Sequence, residues 1–325
     1  MKKFLIIRFS SIGDIVLTSP VIRCLKQQVP GSEVHFITKK QYQPLLQANP
    51  GIDRLWLYKD NFSELIPQLR KERFDLIIDL HKNFRSFYLK LRLGRPSGTF
   101  PKLNIQKWLI VNFKLNFLPT VHIVHRYFET LKKAGVTYDG QGLDCYLAPE
   151  DEVKVSELFP TAAGGFTAVV IGGKHNTKIF PVEKVIDVCG KISRPVILLG
   201  GKEDMERGEM IREKSGSPVF NAAGLLTLNQ SASVLKQAVS VLTNDTGLMH
   251  LAAAFRKKMV SVWGNTIPEF GMYPFLPEDK KELSFISEVP GLSCRPCSKL
   301  GYRECPKRHF RCMRDIDTEE ILKHL

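Results

Sequence analysis

The chain has 325 residues, 43% of them hydrophobic and 25% charged, and a formal net charge of +14. This balance excludes a disordered chain, and the length leaves room for two domains of ordinary size. No apolar run reaches the roughly 20 residues of a membrane-spanning helix, and Arg8 and Asp14 interrupt the apolar start too early for a secretory signal, so the sequence favours a cytoplasmic protein.

The first predicted element is a buried strand at residues 4–9, which leads through a small, polar turn into an amphipathic helix ending near Gln28. Open α/β sheets bind ligands at the carboxyl edge of their strands, so we expect Asp14, in that turn, to face a ligand. The residues beside it are expected to contact the same ligand or to orient Asp14: Arg8, Ser10, Ser11 and Gly13. A helix cap is the alternative for Asp14, and a plain ion pair is the alternative for Arg8.

Three more strands are predicted in the first half, at residues 34–38, 54–57 and 74–80, with helices between them. Basic residues follow the last of these strands, and Lys82 and Arg85 would emerge at the same edge as Asp14. A charged, solvated helix face is the alternative for both residues.

A basic, aromatic stretch occupies residues 95–125. Its Pro, Gly and Asn residues argue against a regular element in its first half. A helix is predicted from about residue 126 to residue 133, and His125, Arg126 and Tyr127 form a second candidate contact with a ligand.

The second half begins after a Pro- and Gly-containing linker, which divides the chain into predicted domains at residues 1–163 and 164–325. Strands are predicted at residues 166–171, 196–199 and 239–242, and helices at residues 182–192, 205–214 and 228–238. Strand–helix alternation in both halves predicts an α/β protein with two doubly wound, Rossmann-like parallel sheets that face each other across a cleft.

The most informative motif follows the strand at residues 239–242, where Asn-Asp-Thr-Gly leads into an alanine-rich helix. The free amides at a helix N-terminus carry roughly half a positive charge and bind anions. Thr246 and Gly247 would therefore hold phosphate groups, and His250, one turn into the helix, can face the same anion. Asp245 would bind hydroxyl groups of the ligand or orient the turn. An N-cap with a core-facing histidine is the alternative.

Two other loops of the second half end at the same predicted edge. Lys178 could neutralise charge that develops on a phosphate, with Lys174 and His175 as rivals in the same loop. Gly201 and Glu203 follow the strand at residues 196–199, where Rossmann-like domains commonly place a ribose-binding carboxylate. Helix capping explains these acidic residues equally well.

Several motifs together resemble the bacterial ADP-heptose:lipopolysaccharide heptosyltransferases of glycosyltransferase family 9. The resemblance covers nearly the whole chain and rests on Ser-Ser-x-Gly-Asp at 10–14, Lys178-Ile179-Phe180-Pro181, Leu199-Gly200-Gly201, Asn244-Asp245-Thr246-Gly247-x-x-His250, and a cysteine-rich tail. It implies the GT-B fold and an inverting transfer of heptose from ADP-heptose to an inner-core sugar of lipopolysaccharide. Asp14 would then be the catalytic base, and Lys178 would stabilise the leaving group.

The resemblance also implies the partners. The first domain would bind an anionic lipid A-core acceptor, and the second the nucleotide sugar, with no metal needed for catalysis. The net positive charge makes nucleic acid a generic alternative, but the resemblance favours a glycolipid at the cytoplasmic face of the inner membrane, with no nucleic acid. Two other functions stay open: a family 9 enzyme with another nucleotide sugar for a different surface glycan, and a non-catalytic nucleotide-sugar-binding relic.

Four of the seven cysteines lie within 19 residues of the tail: Cys294, Cys297, Cys305 and Cys312. Four thiolates at this spacing could hold a structural zinc ion. Reduced packing cysteines are the default alternative, because a reducing cytoplasm disfavours disulfides.

Overall fold

The computed structural model describes residues 1–216 and 218–325. It divides into two compact units. The first unit comprises Met1–Leu103 and Val121–Ala148, and the second comprises Asn104–Thr120 and Pro149–Leu325.

The first unit contains a five-stranded parallel sheet in the order β3-β2-β1-β4-β5. The strands are β1 (Lys3–Ile7), β2 (Glu33–Lys39), β3 (Arg54–Tyr58), β4 (Leu76–Asp79) and β5 (Ser97–Thr99). Phe4 of β1 is in register with Val34 of β2 and with Leu76 of β4. Strand β1 therefore lies between β2 and β4, where the order of the sheet reverses and doubly wound sheets open a ligand-binding crevice.

The second unit contains a six-stranded parallel sheet in the order β11-β10-β9-β6-β7-β8. The strands are β6 (Thr167–Val170), β7 (Val196–Leu199), β8 (Val219–Asn221), β9 (Ser240–Asn244), β10 (Lys258–Trp263) and β11 (Ser284–Glu288). Ala168 of β6 is in register with Ile197 of β7 and Val241 of β9. The reversal of strand order falls between β6 and β9, and their carboxyl ends carry the loops of interest.

The α-helices cover these sheets or lie in the connections. In chain order they are α1 (Ile12–Val16), α2 (Ser19–Gln28), α3 (Leu65–Lys71), α4 (Phe84–Leu93), α5 (Asn104–Phe113), α6 (Ile123–Phe128), α7 (Val155–Leu158), α8 (Val182–Lys191), α9 (Met205–Lys214), α10 (Leu228–Gln237), α11 (Gly247–Ala254), α12 (Arg311–Arg314) and α13 (Thr318–Lys323). Short 3₁₀ turns include Glu129–Ala134, Asn176–Lys178 and Lys202–Asp204. Among the described residues, no helix combines the length and apolarity needed to cross a membrane.

Each unit has its own apolar core. The core of the first unit includes Leu5, Ile37 and Ile77 from neighbouring strands, and that of the second includes Val169, Leu198 and Val260. The predicted α/β architecture with two parallel sheets is therefore correct. Both sheets are buried because apolar side chains point to both faces of their central strands.

The compact units divide differently from the domains that the sequence suggested. Residues 149–163 belong to the second unit, where Asn229 Nδ2 donates to Asp151 Oδ2 at 2.7 Å and Val153 N donates to Ser233 Oγ at 2.9 Å. Residues 104–120 also belong to the second unit, because Ile110 packs with Ile267 and Phe270. The linker composition marked a turn, but tertiary contacts decide which unit a segment joins.

Several elements differ from the sequence prediction. The first predicted helix is two helices, because Leu17 ends α1 and a proline near the start of α2 begins a new one. The prediction of irregular structure in the first half of the 95–125 stretch is wrong, since it contains β5 and most of α5. The predicted helix at residues 126–133 is α6 followed by a 3₁₀ turn.

Candidate functional site

An ion pair between Arg8 and Asp14 lies at the carboxyl end of β1. Arg8 Nη2 is 2.5 Å from Asp14 Oδ1, and the Asp14 side chain is 18% exposed. Asp14 Oδ2 accepts hydrogen bonds from Ser11 Oγ at 2.8 Å and from Ser11 N at 3.2 Å. The carboxylate is thus held at the start of α1 and still reaches solvent.

The buried Arg8 guanidinium is fixed from several sides. Its Nε donates to Ser10 O at 2.6 Å, and its Nη1 donates to Leu80 O and lies 3.3 Å from Tyr127 Oη. Leu80 directly follows β4, so Arg8 joins the ends of β1 and β4 at the reversal of strand order. Of the residues at 125–127, Tyr127 is the one that lies beside this ion pair.

The charged form of Asp14 is stabilised despite its burial. Burial raises the pKa of Asp14, but the positive charge of Arg8 and the hydrogen bonds from Ser11 outweigh it, so the pKa lies below the ordinary value of 3.8. Asp14 therefore interacts with the cap residue Ser11, as the capping interpretation predicts, and it is an ionised carboxylate at the carboxyl edge of the sheet. That it faces a ligand stays a prediction.

The loop after β4 is organised by Asp79. This buried carboxylate accepts from His81 N at 3.0 Å and from Lys82 N at 2.8 Å, and it pairs with Lys90 Nζ at 2.8 Å. Lys82 and Arg85 are exposed at this edge. No described ion pair joins either of them to Asp14.

His81 is a residue of this edge that the sequence analysis did not select. Burial, with Arg8 and Lys102, lowers the pKa of His81 to about 4, and Asp14 acts in the opposite direction. Its Nδ1 atom is buried without a hydrogen-bond partner, and its ring meets Phe9 edge to face at 5.2 Å. The imidazole is therefore neutral at pH 7. The sequence could have indicated His81, because it closely follows a buried strand, as Asp14 does.

In the second unit, Lys178 and Asp245 form an ion pair at the ends of β6 and β9. Lys178 Nζ lies 2.5 Å from Asp245 Oδ2, which also accepts a hydrogen bond from Thr266 Oγ1 at 2.7 Å. Both side chains of the pair are less than one-fifth exposed. Of its two rivals, Lys174 is exposed, and His175 packs against Gly301.

Asn244, the last residue of β9, anchors the loop that contains Lys178. Its Nδ2 donates to Val170 O at 3.2 Å and to Gly172 O at 3.1 Å, and its Oδ1 accepts from Phe180 N at 3.1 Å. Since Lys178 lies between Gly172 and Phe180 in the chain, one buried amide positions the loop on both sides of it.

Thr246, Gly247 and His250 lie at the start of α11, as the motif predicted. Thr246 is the N-cap, and its Oγ1 is buried without a hydrogen-bond partner. Gly247 is the first helical residue, and the side chain of His250 is buried one turn later. A hydroxyl without a partner beside the amides of a helix N-terminus is an arrangement that typically binds anionic groups.

The acidic residues after β7 have separate roles. Asp204 is buried, accepts from Gly201 N at 2.9 Å and pairs with Arg207 at 2.6 Å. It also fills the space beside Gly172, where a Cβ atom would clash with Asp204 Oδ2. The capping explanation therefore holds for Asp204, whereas Glu203 is exposed next to it and is the carboxylate that remains accessible.

Asn265, after β10, is a second residue that the sequence analysis missed. Its side chain is buried, and neither Oδ1 nor Nδ2 has a hydrogen-bond partner. It precedes Thr266, which holds Asp245. A buried amide without partners is costly unless a ligand or water satisfies it. No sequence pattern pointed to Asn265, because β10 itself was not predicted.

The cysteine-rich tail packs against the loops of this site. Arg295 Nη2 donates to Thr266 O at 2.9 Å, its Nε donates to Gly264 O, and it pairs with Glu288 at 2.5 Å. Tyr302 N donates to Thr177 Oγ1 at 2.8 Å, next to Lys178. The tail therefore contacts both the loop that contains Lys178 and the loop after β10, although it lies far from them in the sequence.

The four tail cysteines are thiols. Cys294 Sγ lies 3.8 Å from His309 Nε2. Burial raises the pKa of Cys297, and the nearby Cys294 and Cys305 thiols add to this effect. Burial also raises the pKa of Cys312 to about 12, so in this arrangement its proton is firmly held.

One group of three potential metal ligands has its ligand atoms within 4.8 Å of one another in the described part of the chain: Glu33, His35 and Glu72. Lys3 Nζ lies 3.1 Å from Glu33 and 2.8 Å from Glu72, and His35 Nε2 contacts Glu33 at 2.7 Å. Since Lys3 and Glu33 begin β1 and β2, the group lies at the opposite edge of the sheet from Asp14, and an ammonium already balances the carboxylates.

The sequence of this chain is similar to those of characterised proteins. Residues 62–295 match the family described as glycosyltransferase family 9 (heptosyltransferase). The lipooligosaccharide heptosyltransferase 2 of Haemophilus influenzae is 34% identical over 295 residues, covering 82% of this chain and 84% of that protein. The corresponding enzyme of Haemophilus ducreyi is 24% identical, covering 99% and 98%.

A solved structure supports the fold. The ADP-heptose LPS heptosyltransferase II of Escherichia coli superimposes with a TM-score of 0.74 at 20% identity and covers 100% of this chain and 97% of its own. The two Rossmann-like parallel-sheet units are thus those of the GT-B fold.

Proposed function

The chain belongs to glycosyltransferase family 9, and we propose that it transfers a heptose from ADP-heptose to an inner-core sugar of lipopolysaccharide. The observation that carries the proposal is the pairing of two sites at reversals of strand order: an ionised carboxylate at Asp14 in the first unit, and a cation with a helix N-terminus at Lys178 and Thr246 in the second. The assignment of heptose as the transferred sugar is supported by the relatives named as heptosyltransferases.

In the proposed reaction, an acceptor hydroxyl attacks the anomeric carbon of the donor sugar. Its proton passes to the Asp14 carboxylate, and the bond from the anomeric carbon to the β-phosphate oxygen breaks, so ADP leaves with the electron pair. A single displacement inverts the anomeric configuration. Because its pKa lies below 3.8, Asp14 is ionised and ready to accept the proton at neutral pH.

The second unit would stabilise the leaving diphosphate. The α11 N-terminus and Thr246 Oγ1 would donate to phosphate oxygens, and His250 would lie beside them. Lys178, which pairs with Asp245 at 2.5 Å, would exchange part of that pairing for the β-phosphate. Asp245 would then orient Lys178 or accept from a sugar hydroxyl. Glu203 and Gly201 are assigned to the ribose.

The first unit would bind the acceptor. Arg8 holds Asp14, while Ser10, Ser11 and Gly13 line the turn beside the carboxylate. Lys82 and Arg85, exposed after β4, would contact the anionic lipid A-core acceptor. The proposal places the enzyme at the cytoplasmic face of the inner membrane, as a peripheral protein, and assigns no role to nucleic acid.

The proposal assigns no metal to catalysis, because Lys178 and α11 supply the charge that the diphosphate needs. A structural zinc at Cys294, Cys297, Cys305 and Cys312 stays a prediction. It rests on the spacing of the four cysteines in the sequence, because no three of their sulfur atoms lie within 4.8 Å of one another in the described structure. Metal analysis of the purified protein tests it.

A panel of nucleotide sugars tests the donor assignment. We expect ADP-heptose to raise the unfolding temperature and to be consumed when acceptor is added, while UDP- and GDP-sugars do neither. A stronger response to another nucleotide sugar would favour a different surface glycan. Binding without transfer to any acceptor would favour the non-catalytic relic.

A further inference from the structure

Residues 80–128 have an unusual charge distribution. They contain nine of the 47 Lys and Arg residues and none of the 33 Asp and Glu residues of the chain. Nine of the 17 large hydrophobic side chains that are exposed among the described residues also belong to this segment. Lys90 pairs with Asp79, just before the segment. Exposed apolar groups beside an excess of basic groups are typical of surfaces that contact anionic membranes.

The first-unit part of this segment is helix α4, which has two apolar faces. The core face carries Ser86, Leu89 and Leu93, which are buried. Phe84, Phe87 and Leu91 have the same i, i+3, i+7 spacing and are 80%, 58% and 67% exposed. At 3.6 residues per turn these three side chains form a stripe about 60° wide on the side opposite the core face.

Folding explains only the first of these faces. A surface helix of a globular protein needs one apolar stripe, and the other side is normally polar. Phe84, Phe87 and Leu91 leave three large side chains in water without a packing role in the first unit. The remaining exposed apolar residues of the segment from residue 105 to residue 117 belong to the second unit and are not needed for this surface.

The charges on α4 indicate what covers the stripe. Arg85 and Arg92 follow Phe84 and Leu91 in the chain and lie along the same flank of the stripe. Neither arginine is ion-paired to a carboxylate among the residues that the structure describes. Arg92 Nη1 donates to Tyr88 Oη at 3.1 Å, which leaves its charge uncompensated. An anionic surface with an apolar interior complements this arrangement.

We propose that the exposed face of α4, formed by Phe84, Phe87 and Leu91 with Arg85 and Arg92, is a docking surface for an anionic lipid bilayer. The apolar side chains enter the boundary between headgroups and acyl chains, and the arginines contact lipid phosphates. This inference rests on the proposed function and extends it, because a lipid-linked acceptor lies in such a bilayer.

Vesicle sedimentation tests the proposal with two triple variants. The first replaces Phe84, Phe87 and Leu91 by serine, and the matched control replaces three exposed apolar residues of the second unit, Leu158, Met210 and Leu225, by serine. Wild-type protein should bind phosphatidylglycerol/phosphatidylethanolamine vesicles, more weakly at high salt, and should bind phosphatidylcholine vesicles poorly. The α4 triple variant should bind anionic vesicles about tenfold more weakly or worse, with the unfolding temperature unchanged, and the control should bind like the wild type.

Three results would overturn the proposal: no binding of wild-type protein to anionic vesicles, equal binding to neutral vesicles, or full binding by the α4 triple variant. The first would leave a protein or a nucleic acid as the occupant of this face. An Asp14→Asn variant separates this test from the proposed function, because it should bind vesicles like the wild type while losing transfer. The α4 variant should still transfer sugar to a lipid-free acceptor fragment.

Discussion

At the scale of single residues, two ion pairs have opposite roles in the proposed reaction. In the Arg8–Asp14 pair the carboxylate is the proposed base, and the arginine keeps it ionised and oriented. In the Lys178–Asp245 pair the ammonium is the proposed phosphate ligand, and the carboxylate orients it. In both pairs the orienting partner has further contacts, to Leu80 and to Thr266 respectively, which fixes the geometry.

The ionisation of Asp14 predicts how activity and stability respond to pH. Its folded-state pKa lies below the ordinary 3.8, so its ion pair stabilises the fold above the unfolded-state pKa, and that stability is lost as the pH falls through the folded-state value. The acid limb of kcat/KM should therefore lie below pH 3.8, and it should persist in His81→Gln, because the pKa of the neighbouring His81 is about 4. A limb near pH 6.5 would indicate an ordinary histidine as the base.

The donor ion pair predicts a binding defect. Lys178→Gln should weaken ADP binding by about 1.5–3 kcal/mol, because it removes a charge-assisted contact with the diphosphate. Calorimetry measures this, with Lys174→Gln, an exposed lysine in the same loop, as the matched control. Equal ADP affinity of the wild type and Lys178→Gln would rule out the assigned role of this lysine.

At the scale of elements, the cysteine-rich tail supports the loops that carry the proposed donor site. Arg295 donates to the carbonyl groups of Gly264 and Thr266, and Thr266 in turn donates to Asp245. The tail thereby holds the loop after β10 against the loop after β9.

This contact predicts a coupled loss of stability and donor affinity. Arg295→Met leaves three carbonyl groups and Glu288 without their partner, which should cost about 1–3 kcal/mol of unfolding free energy. It should also raise the Kd for ADP, because Thr266 loses its support. Thermal unfolding and calorimetry check both effects, with exposed Arg303→Met as control. Lower stability with unchanged ADP affinity would make Arg295 a purely structural residue.

The elements also show what sequence patterns can predict. Strands β1, β4, β6 and β9 were predictable because buried parallel strands are nearly continuous apolar runs, and the residues that follow them fall at one edge. Helix α5 was missed because its apolar residues are largely exposed and do not mark a core face. The partner of Lys178 was not predictable either, because Asp245 lies far along the chain and only the pairing of β6 with β9 brings them together.

At the scale of the whole molecule, each unit is a doubly wound sheet with a candidate site at its reversal of strand order. Asp14 in the first unit is the proposed base, and Lys178 with the start of α11 in the second unit is the proposed phosphate site. In that second site Asp245 already contacts Lys178 and Thr266. Family membership and fold agree with this division of labour. The central claim is that the two sites serve one transfer reaction.

The most direct measurement is heptose transfer from ADP-heptose to a lipopolysaccharide inner-core acceptor by wild-type protein and by Asp14→Asn. The account predicts transfer by the wild type, and a kcat about 100- to 10,000-fold lower in the variant at saturating acceptor, with ADP affinity unchanged. Ser11→Ala, which removes one hydrogen bond to Asp14 but keeps the carboxylate, should retain most of the activity. Near-normal turnover by Asp14→Asn would contradict the account, because Asp14 would then be only a helix cap.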